Sequence, residues 1–267
     1  MRFANVNGEK REAERGLTGL CIGCEGPMSP VCGLKKVKHW RHKVDCQCDH
    51  WWENETEWHR RWKSCFPTEY QEIRHQADDG EWHIADVKTA QGWVLEFQNS
   101  PISIEERDAR NAFYRTIVWI VNGAVQKRDR AQFFKALDQG IVVCDNSKVV
   151  RVFSSESSLI EKWYGCHVPV FFDFGEDSLL WCLFPSKSDH WRFLTPIRRE
   201  DFVEWHQGGH DQLQKFIAFL QIFGKVISAY AAHIQMQRQF DLRRQIIAMP
   251  LTRYQRYLSR RRSFRRL

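Results

Sequence analysis

Residues 94–98 read VLEFQ, a carboxylate and an amide set inside an apolar, strand-like run. Burying Glu96 without a partner costs several kcal/mol, so this run needs a solvated edge, a counter-charge or a bound cation. Side chains alternate across a strand: Trp93, Leu95 and Phe97 point one way, and Val94, Glu96 and Gln98 the other. The preceding run WHIADVK, residues 82–88, is also strand-like, and Thr89-Ala90-Gln91-Gly92 has the length and glycine of a hairpin loop. In the right register that hairpin sets Asp86 beside Glu96, with Lys88 and Gln98 nearby. Carboxylates that close repel unless a cation lies between them. Magnesium suits the place, because it takes oxygen ligands and often uses only one or two protein carboxylates. The pattern equally fits two carboxylates on the wet face of an antiparallel hairpin, and this stretch alone does not separate the readings.

Around the hairpin the periodicity predicts a helix over about 53–65, strands near 70–75, 82–88 and 93–98, and a helix at 104–115. A strand TIVWIV, a helix near 129–138 and strands IVVC and VVRVF follow. That order implies an α/β layer with a mixed sheet. Ser103 followed by Glu106 fits a capping box at the start of the helix at 104. In WWENETEWHRRWK, Trp51, Trp58, Trp62 and Cys65 fall on one stripe, while Glu55, His59 and Lys63 follow at i, i+4, i+8 on the next. The polar stripe could bring Glu55 to a metal and His59 or Lys63 to a phosphate, or it could be a solvated face of i,i+4 pairs. Beyond residue 155 come strand-like VPVFFDFG and LLWCLFP, then a helical pattern over about 210–246. Its Phe216, Phe219, Leu220, Phe223, Val226 and Ile227 read as core packing. Three parts result: a Cys/His-rich segment 1–50 with little regular structure, a core at 51–155, and a strand and helical region at 156–267.

The chain has nine cysteines, an odd number, and five of them lie within residues 21–48, which favours a reducing cytoplasm and metal binding over disulfides. Cys21-x-x-Cys24 supplies half of a zinc site by knuckle spacing. His39 with His42, or His42 with Cys46 or Cys48, would complete the tetrahedron around a structural Zn2+. The net charge of +7 is a property of the last fifteen residues, which hold Arg253, Arg256, Arg260, Arg261, Arg262, Arg265 and Arg266 and no acid. Such a tail attracts phosphate backbones through counterion release, or is simply a solvated terminus. The polar start MRFANVNGEKREAERG carries no secretory signal, and no stretch reaches the length of a membrane span; both point to a cytoplasmic chain with no membrane partner.

HWRH at 39–42, ETEWHRRWK at 55–63, ADV at 85–87, VLEFQNSPIS at 94–103, the helix with Arg110 and Tyr114, and VWIV at 118–121 together resemble the competence protein CoiA-like family, over roughly residues 20–121. That family is assigned to the PD-(D/E)XK nuclease superfamily. The resemblance implies a restriction-endonuclease-like core, a mixed sheet flanked by helices; the N-terminal zinc-binding module and the helical C-terminal region are read from the residues themselves. It implies that Asp86 and Glu96 bind catalytic Mg2+ or Mn2+, that the Phe97 carbonyl completes the shell, and that Glu55 is the helix glutamate many members contribute. Gln98 would occupy the lysine position of the E-x-K motif, where an amide carries no charge and accepts no proton at neutral pH. Lys88 or Lys63 would then supply the charge, with His59 as a general acid/base candidate. The implied activity is hydrolysis of DNA phosphodiester bonds, linked to DNA uptake, recombination or mobile elements. Gln98 also fits the alternative, a non-catalytic zinc-containing nucleic-acid-binding protein on a degenerate nuclease fold.

Overall fold

The structure is a computed structural model that describes residues 1–33, 37–44, 48, 49, 51, 55–175, 179–185 and 190–247. The first strands are β1 (Phe3–Val6), β2 (Glu9–Glu12), β3 (Gly19–Leu20), β4 (Pro27–Val31) and β5 (His39–His42). They pair antiparallel in the order β2-β1-β3-β4-β5. Asn7 and Gly8, both at positive φ, make the two-residue turn between β1 and β2, as the twist of a hairpin requires. Ala4, Val6, Cys21, Met28 and Trp40 form the core of this sheet. The expectation of little regular structure over residues 1–50 is therefore corrected.

The elements that follow are α1 (Glu57–Lys63), β6 (Gln71–Gln76), β7 (Trp82–Lys88), β8 (Val94–Gln98), α2 (Ile104–Tyr114), β9 (Ile117–Asn122) and α3 (Lys127–Asp138). They continue with β10 (Ile141–Cys144), β11 (Val149–Phe153), α4 (Ser158–Lys162), β12 (Val170–Asp173), β13 (Leu179–Leu183), β14 (Trp191–Arg198), α5 (Arg199–Gln207) and α6 (His210–Ile247). The nine later strands form one mixed sheet in the order β10-β11-β14-β13-β12-β9-β8-β7-β6. β6, β7 and β8 meander antiparallel, α2 crosses over, and β9 returns parallel to β8, so the expected mixed α/β arrangement is present. Ser103 caps α2 by accepting the Glu106 N–H.

The expected boundary at 155 does not divide the structure, because β12, β13 and β14 lie between β9 and β11 in the same sheet. Two compact units instead meet at Gln221 and Ile222. β14 went unforeseen because it contains Pro196, which argues against a strand inside a sheet. Pro196 is tolerated past the end of the β11/β14 ladder, whose last pair is Val150 with Leu194.

α1 is fastened to the sheet by a buried acid. Trp58 and Trp62 both donate from Nε1 to Asp173 Oδ2, at 2.9 and 2.8 Å, and Arg199 pairs with the other oxygen. The Trp62 ring lies stacked on Phe97 at 5.6 Å. This fixes the inner face of α1 against β8 and aims its other side at the ends of β6, β7 and β8.

In the first unit, α6 buries Leu213 and Phe216, the latter against Trp93 and His206. The helix also corrects an expectation. Its His210–Gln245 stretch contains an 18-residue window of mean hydropathy 1.4, long and apolar enough to cross a membrane by length and composition, and 6% of that window is buried. The seven tail arginines lie outside the described residues.

His206 is packed among Phe202, Phe216 and Trp93 and donates from Nδ1 to the Phe202 carbonyl at 2.7 Å, while its Nε2 has no hydrogen-bond partner. Burial lowers its pKa from 6.5 to about 4. The folded state thus favours neutral imidazole, so this contribution to stability is complete above the unfolded pKa and is lost as pH falls through the window from 6.5 to about 4. That loss amounts to about 3 kcal/mol. Urea unfolding of His206→Phe should lack this slope. An unchanged pH dependence between wild type and variant would contradict it.

Candidate functional site

The β7/β8 ladder pairs Lys88 with Val94 and Val87 with Leu95, and one step further Asp86 faces Glu96. There the strands are joined through side chains. The Asp86 N–H donates to Glu96 Oε1 at 3.3 Å, and the Phe97 N–H donates to Asp86 Oδ2 at 3.0 Å. On the other side of β7, the pairs Gln71–Val87 and Ile73–Ala85 bracket Glu72 opposite Asp86. Three carboxylates therefore stand in line across three neighbouring strands. Lys63, on the last turn of α1, reaches into the line: its Nζ lies 2.9 Å from Asp86, 3.1 Å from Glu72 and 3.2 Å from Glu55. Arg110 of α2 holds Glu96 at 3.0 Å and also pairs with Glu106.

These groups line a cavity of about 450 Å³, which Met28, Trp40, His42 and Cys48 of the N-terminal module close from the other side. Asp86 is the most open of the four carboxylates, with 23% of its side chain exposed against 3–6% for Glu55, Glu72 and Glu96.

Burial, and then the charge on Asp86, pushes the Glu96 carboxyl up to about 8 even though Arg110 is paired with it. Burial would lower the Lys63 ammonium, but Asp86, Glu72 and Glu55 overcome it and hold the pKa well above the usual lysine range. Glu72 moves the opposite way: burial would raise it, but Lys63 and the N–H groups of Arg2 and Phe3 bring it down to about 2. Glu55 Oε1 is buried without a hydrogen bond among the described residues, and Arg60 Nε stands 3.9 Å from it. Asp86 and Glu96 already have partners on all four carboxylate oxygens, Lys63 and the Phe97 N–H on Asp86 and the Asp86 N–H and Arg110 on Glu96, so a hard cation at this place would have to displace or share them.

Other candidates lie differently. Lys88 Nζ sits 2.8 Å from His75 Nδ1, so Lys63 is the lysine that pairs with Asp86. Gln98 is buried, donates to the Ser100 carbonyl, and lines a separate pocket of about 50 Å³ with Asn99, Ile102, Asn122 and Trp163. His59 Nε2 donates to the Phe97 carbonyl at 2.9 Å and its Nδ1 accepts from Thr56, which caps α1 in return. Both ring nitrogens are engaged, which suits His59 to positioning α1 on β8 more than to proton transfer. The same bond occupies one lone pair of the Phe97 carbonyl that the resemblance offers to the metal. Glu72 was missed, although a β6/β7 hairpin drawn around Gly80 would have set it opposite Asp86. Arg110 entered only as part of the resemblance.

The Cys/His segment assembles Cys21, Cys24, His42 and Cys48, whose ligand atoms all lie within 4.8 Å of one another. Cys21 and Cys48 sulfurs are 3.7 Å apart, and Cys24 Sγ is 3.3 Å from His42 Nε2. Tetrahedral zinc with ordinary Zn–S and Zn–N bonds sets such edges at roughly 3.8 and 3.6 Å, so this Cys3His cluster can hold zinc. The hydrogen bond from Cys48, despite burial, and those from backbone N–H groups and His42 lower the Cys21 thiol to about 4, while Cys48 is driven up. A dication suits a site that already favours a thiolate. His39 lies outside the cluster, with its Nδ1 on the Val37 carbonyl; alternation along β5 sends His39 and His42 to opposite faces. Cys46 lies outside the described residues.

No family model, curated protein or solved structure matches the chain. Metal analysis of the purified protein should find about one zinc per chain, retained in His39→Ala and lost when Cys21→Ser and Cys24→Ser are combined. Release of zinc by His39→Ala would contradict the ligand set.

Proposed function

We propose that the chain is a divalent-metal-dependent deoxyribonuclease of the CoiA-like, restriction-endonuclease-like type, with zinc organising its N-terminal module. The observation that carries this reading is the meeting of Asp86 and Glu96 at the point where the β7/β8 ladder opens, beside a cavity. The order α1, β6-β7-β8, α2, β9 supports it, since it gives a mixed sheet with helices, the coarse arrangement the resemblance implies.

A magnesium or manganese ion held by Asp86 and Glu96 would polarise the scissile phosphate and lower the pKa of the attacking water. The chain's own residues do the rest. Lys63 brings a fixed positive charge to the side of Asp86 that the motif lysine would serve, and Gln98 takes no part. Arg110 holds Glu96 in place and balances its charge once the carboxyl ionises. Glu55 pairs with Lys63 and helps hold that ammonium beside Asp86. The Arg-rich tail adds affinity for the DNA backbone without sequence preference. A cytoplasmic setting and a role in DNA uptake, recombination or mobile elements accompany this reading.

One observation favours the alternative of a non-catalytic nucleic-acid-binding protein: Lys63 already makes ion pairs with Asp86, Glu72 and Glu55, the arrangement expected if an ammonium has replaced the metal. Supercoiled plasmid and single-stranded DNA, incubated with the protein and magnesium or manganese, separate the two. Nuclease function predicts cleavage that falls at least ~100-fold in Glu96→Ala. Equal inertness of wild type and variant, with DNA binding of the same salt slope, would establish the alternative.

A further inference from the structure

The zinc cluster and the acidic site share a short stretch of chain. Cys48 is a cluster residue, and the next residue, Asp49, is bound to His83 and Ile84 of β7 and to the Trp51 N–H. Its Oδ2 accepts the Ile84 N–H at 2.7 Å, and its Oδ1 accepts His83 Nδ1 at 2.8 Å and the Trp51 N–H at 2.9 Å. Ile84 lies two residues before Asp86 on the same strand. Trp51 stacks on His83 with ring centroids 3.3 Å apart, and its carbonyl accepts from Arg110 at 2.6 Å, the guanidinium whose other arm holds Glu96. The knuckle itself seats on the same strand: a Cβ at Gly23 would meet the Trp82 ring and would stand 2.9 Å from Ile84 Cδ1.

We infer that Asp49 is a positioning residue, through which the zinc module sets the spacing of Asp86 and Glu96. This rests on the metal-dependent reading of the acidic site. From Cys48 one branch runs through Asp49 to β7 and Asp86, and the other through Trp51 and Arg110 to Glu96. The β7/β8 ladder ends at Val87 and Leu95; one step further the strands are joined through Asp86 and Glu96 themselves, while β6 and β9 hold each strand from its outer side. Asp49 and Arg110 add a constraint on that last step from either side. Loss of a partner in such a supporting shell typically costs 10–100-fold in metal affinity.

The test is a titration of the zinc-loaded, full-length protein with Mn2+, read by electron paramagnetic resonance, with zinc content and thermal unfolding measured alongside. Asp49→Ala should keep its zinc and its fold yet bind Mn2+ at least tenfold more weakly. Asp49→Asn, which keeps an acceptor for the Ile84 N–H but turns its NH2 toward the N–H groups of His83 and Trp51, should fall between wild type and Asp49→Ala in Mn2+ affinity at unchanged zinc content and thermal unfolding. His83→Phe keeps the stack on Trp51 and removes one Asp49 bond far from the zinc; it should weaken Mn2+ binding by a smaller factor. Wild-type affinity in both Asp49→Ala and His83→Phe would overturn the inference alone. Absence from the wild type of any Mn2+ site that Glu96→Ala removes would overturn the functional reading, and the inference with it.

Discussion

A buried ammonium surrounded by three carboxylates ties this molecule's centre together. Lys63 reaches from α1 to Asp86, Glu72 and Glu55, and each of those acids belongs to a different stretch of chain. Glu72 in turn accepts the N–H groups of Arg2 and Phe3, so the first strand of the small sheet is fastened to the large one through the same charge network. Charges buried this deeply are costly unless every member is paired, and removing one partner leaves the others uncompensated. The network therefore demands that α1, β1 and the β6–β8 meander arrive together. Asp173 performs a similar service on the far side of α1, where two indole N–H groups and Arg199 converge on one carboxylate.

The same network gathers four carboxylates beside one cavity. Lys63 answers Asp86, Glu72 and Glu55, Arg60 stands 3.9 Å from the second oxygen of Glu55, and Arg110 answers Glu96. Burial and the charge on Asp86 nevertheless push the Glu96 carboxyl up to about 8, so Glu96 is the member of the group that its surroundings satisfy least.

Much of this could be read in the amino acids, and the exceptions have physical causes. Alternation in WHIADVK and VLEFQ, with Gly92 at positive φ between them, was enough to set Asp86 beside Glu96. Glu72 escaped because its backbone takes a left-handed φ of 45°, which breaks the regular alternation of β6. The small sheet escaped because its strands span two to five residues and one of them, EKRE, is wholly polar; only the Asn-Gly turn announced it. Pairing His39 with His42 as joint ligands could be set aside by the strand rule once β5 was known, since residues three apart on a strand face opposite ways, which leaves His42 with Cys48. Gln98 was expected at the site by alternation with Glu96, but the chain turns away after β8 and its amide closes on Ser100.

The central claim is that the line of carboxylates is a cation site rather than a lysine-filled relic of one. Crystals soaked in manganese, with anomalous diffraction recorded at the manganese edge, put that question to the atoms themselves. The account predicts a peak within about 2.2 Å of carboxylate oxygens of both Asp86 and Glu96, as oxygen ligation of a hard dication requires. A map with no manganese between those side chains, and with Lys63 still bound to Asp86, Glu72 and Glu55, would contradict it.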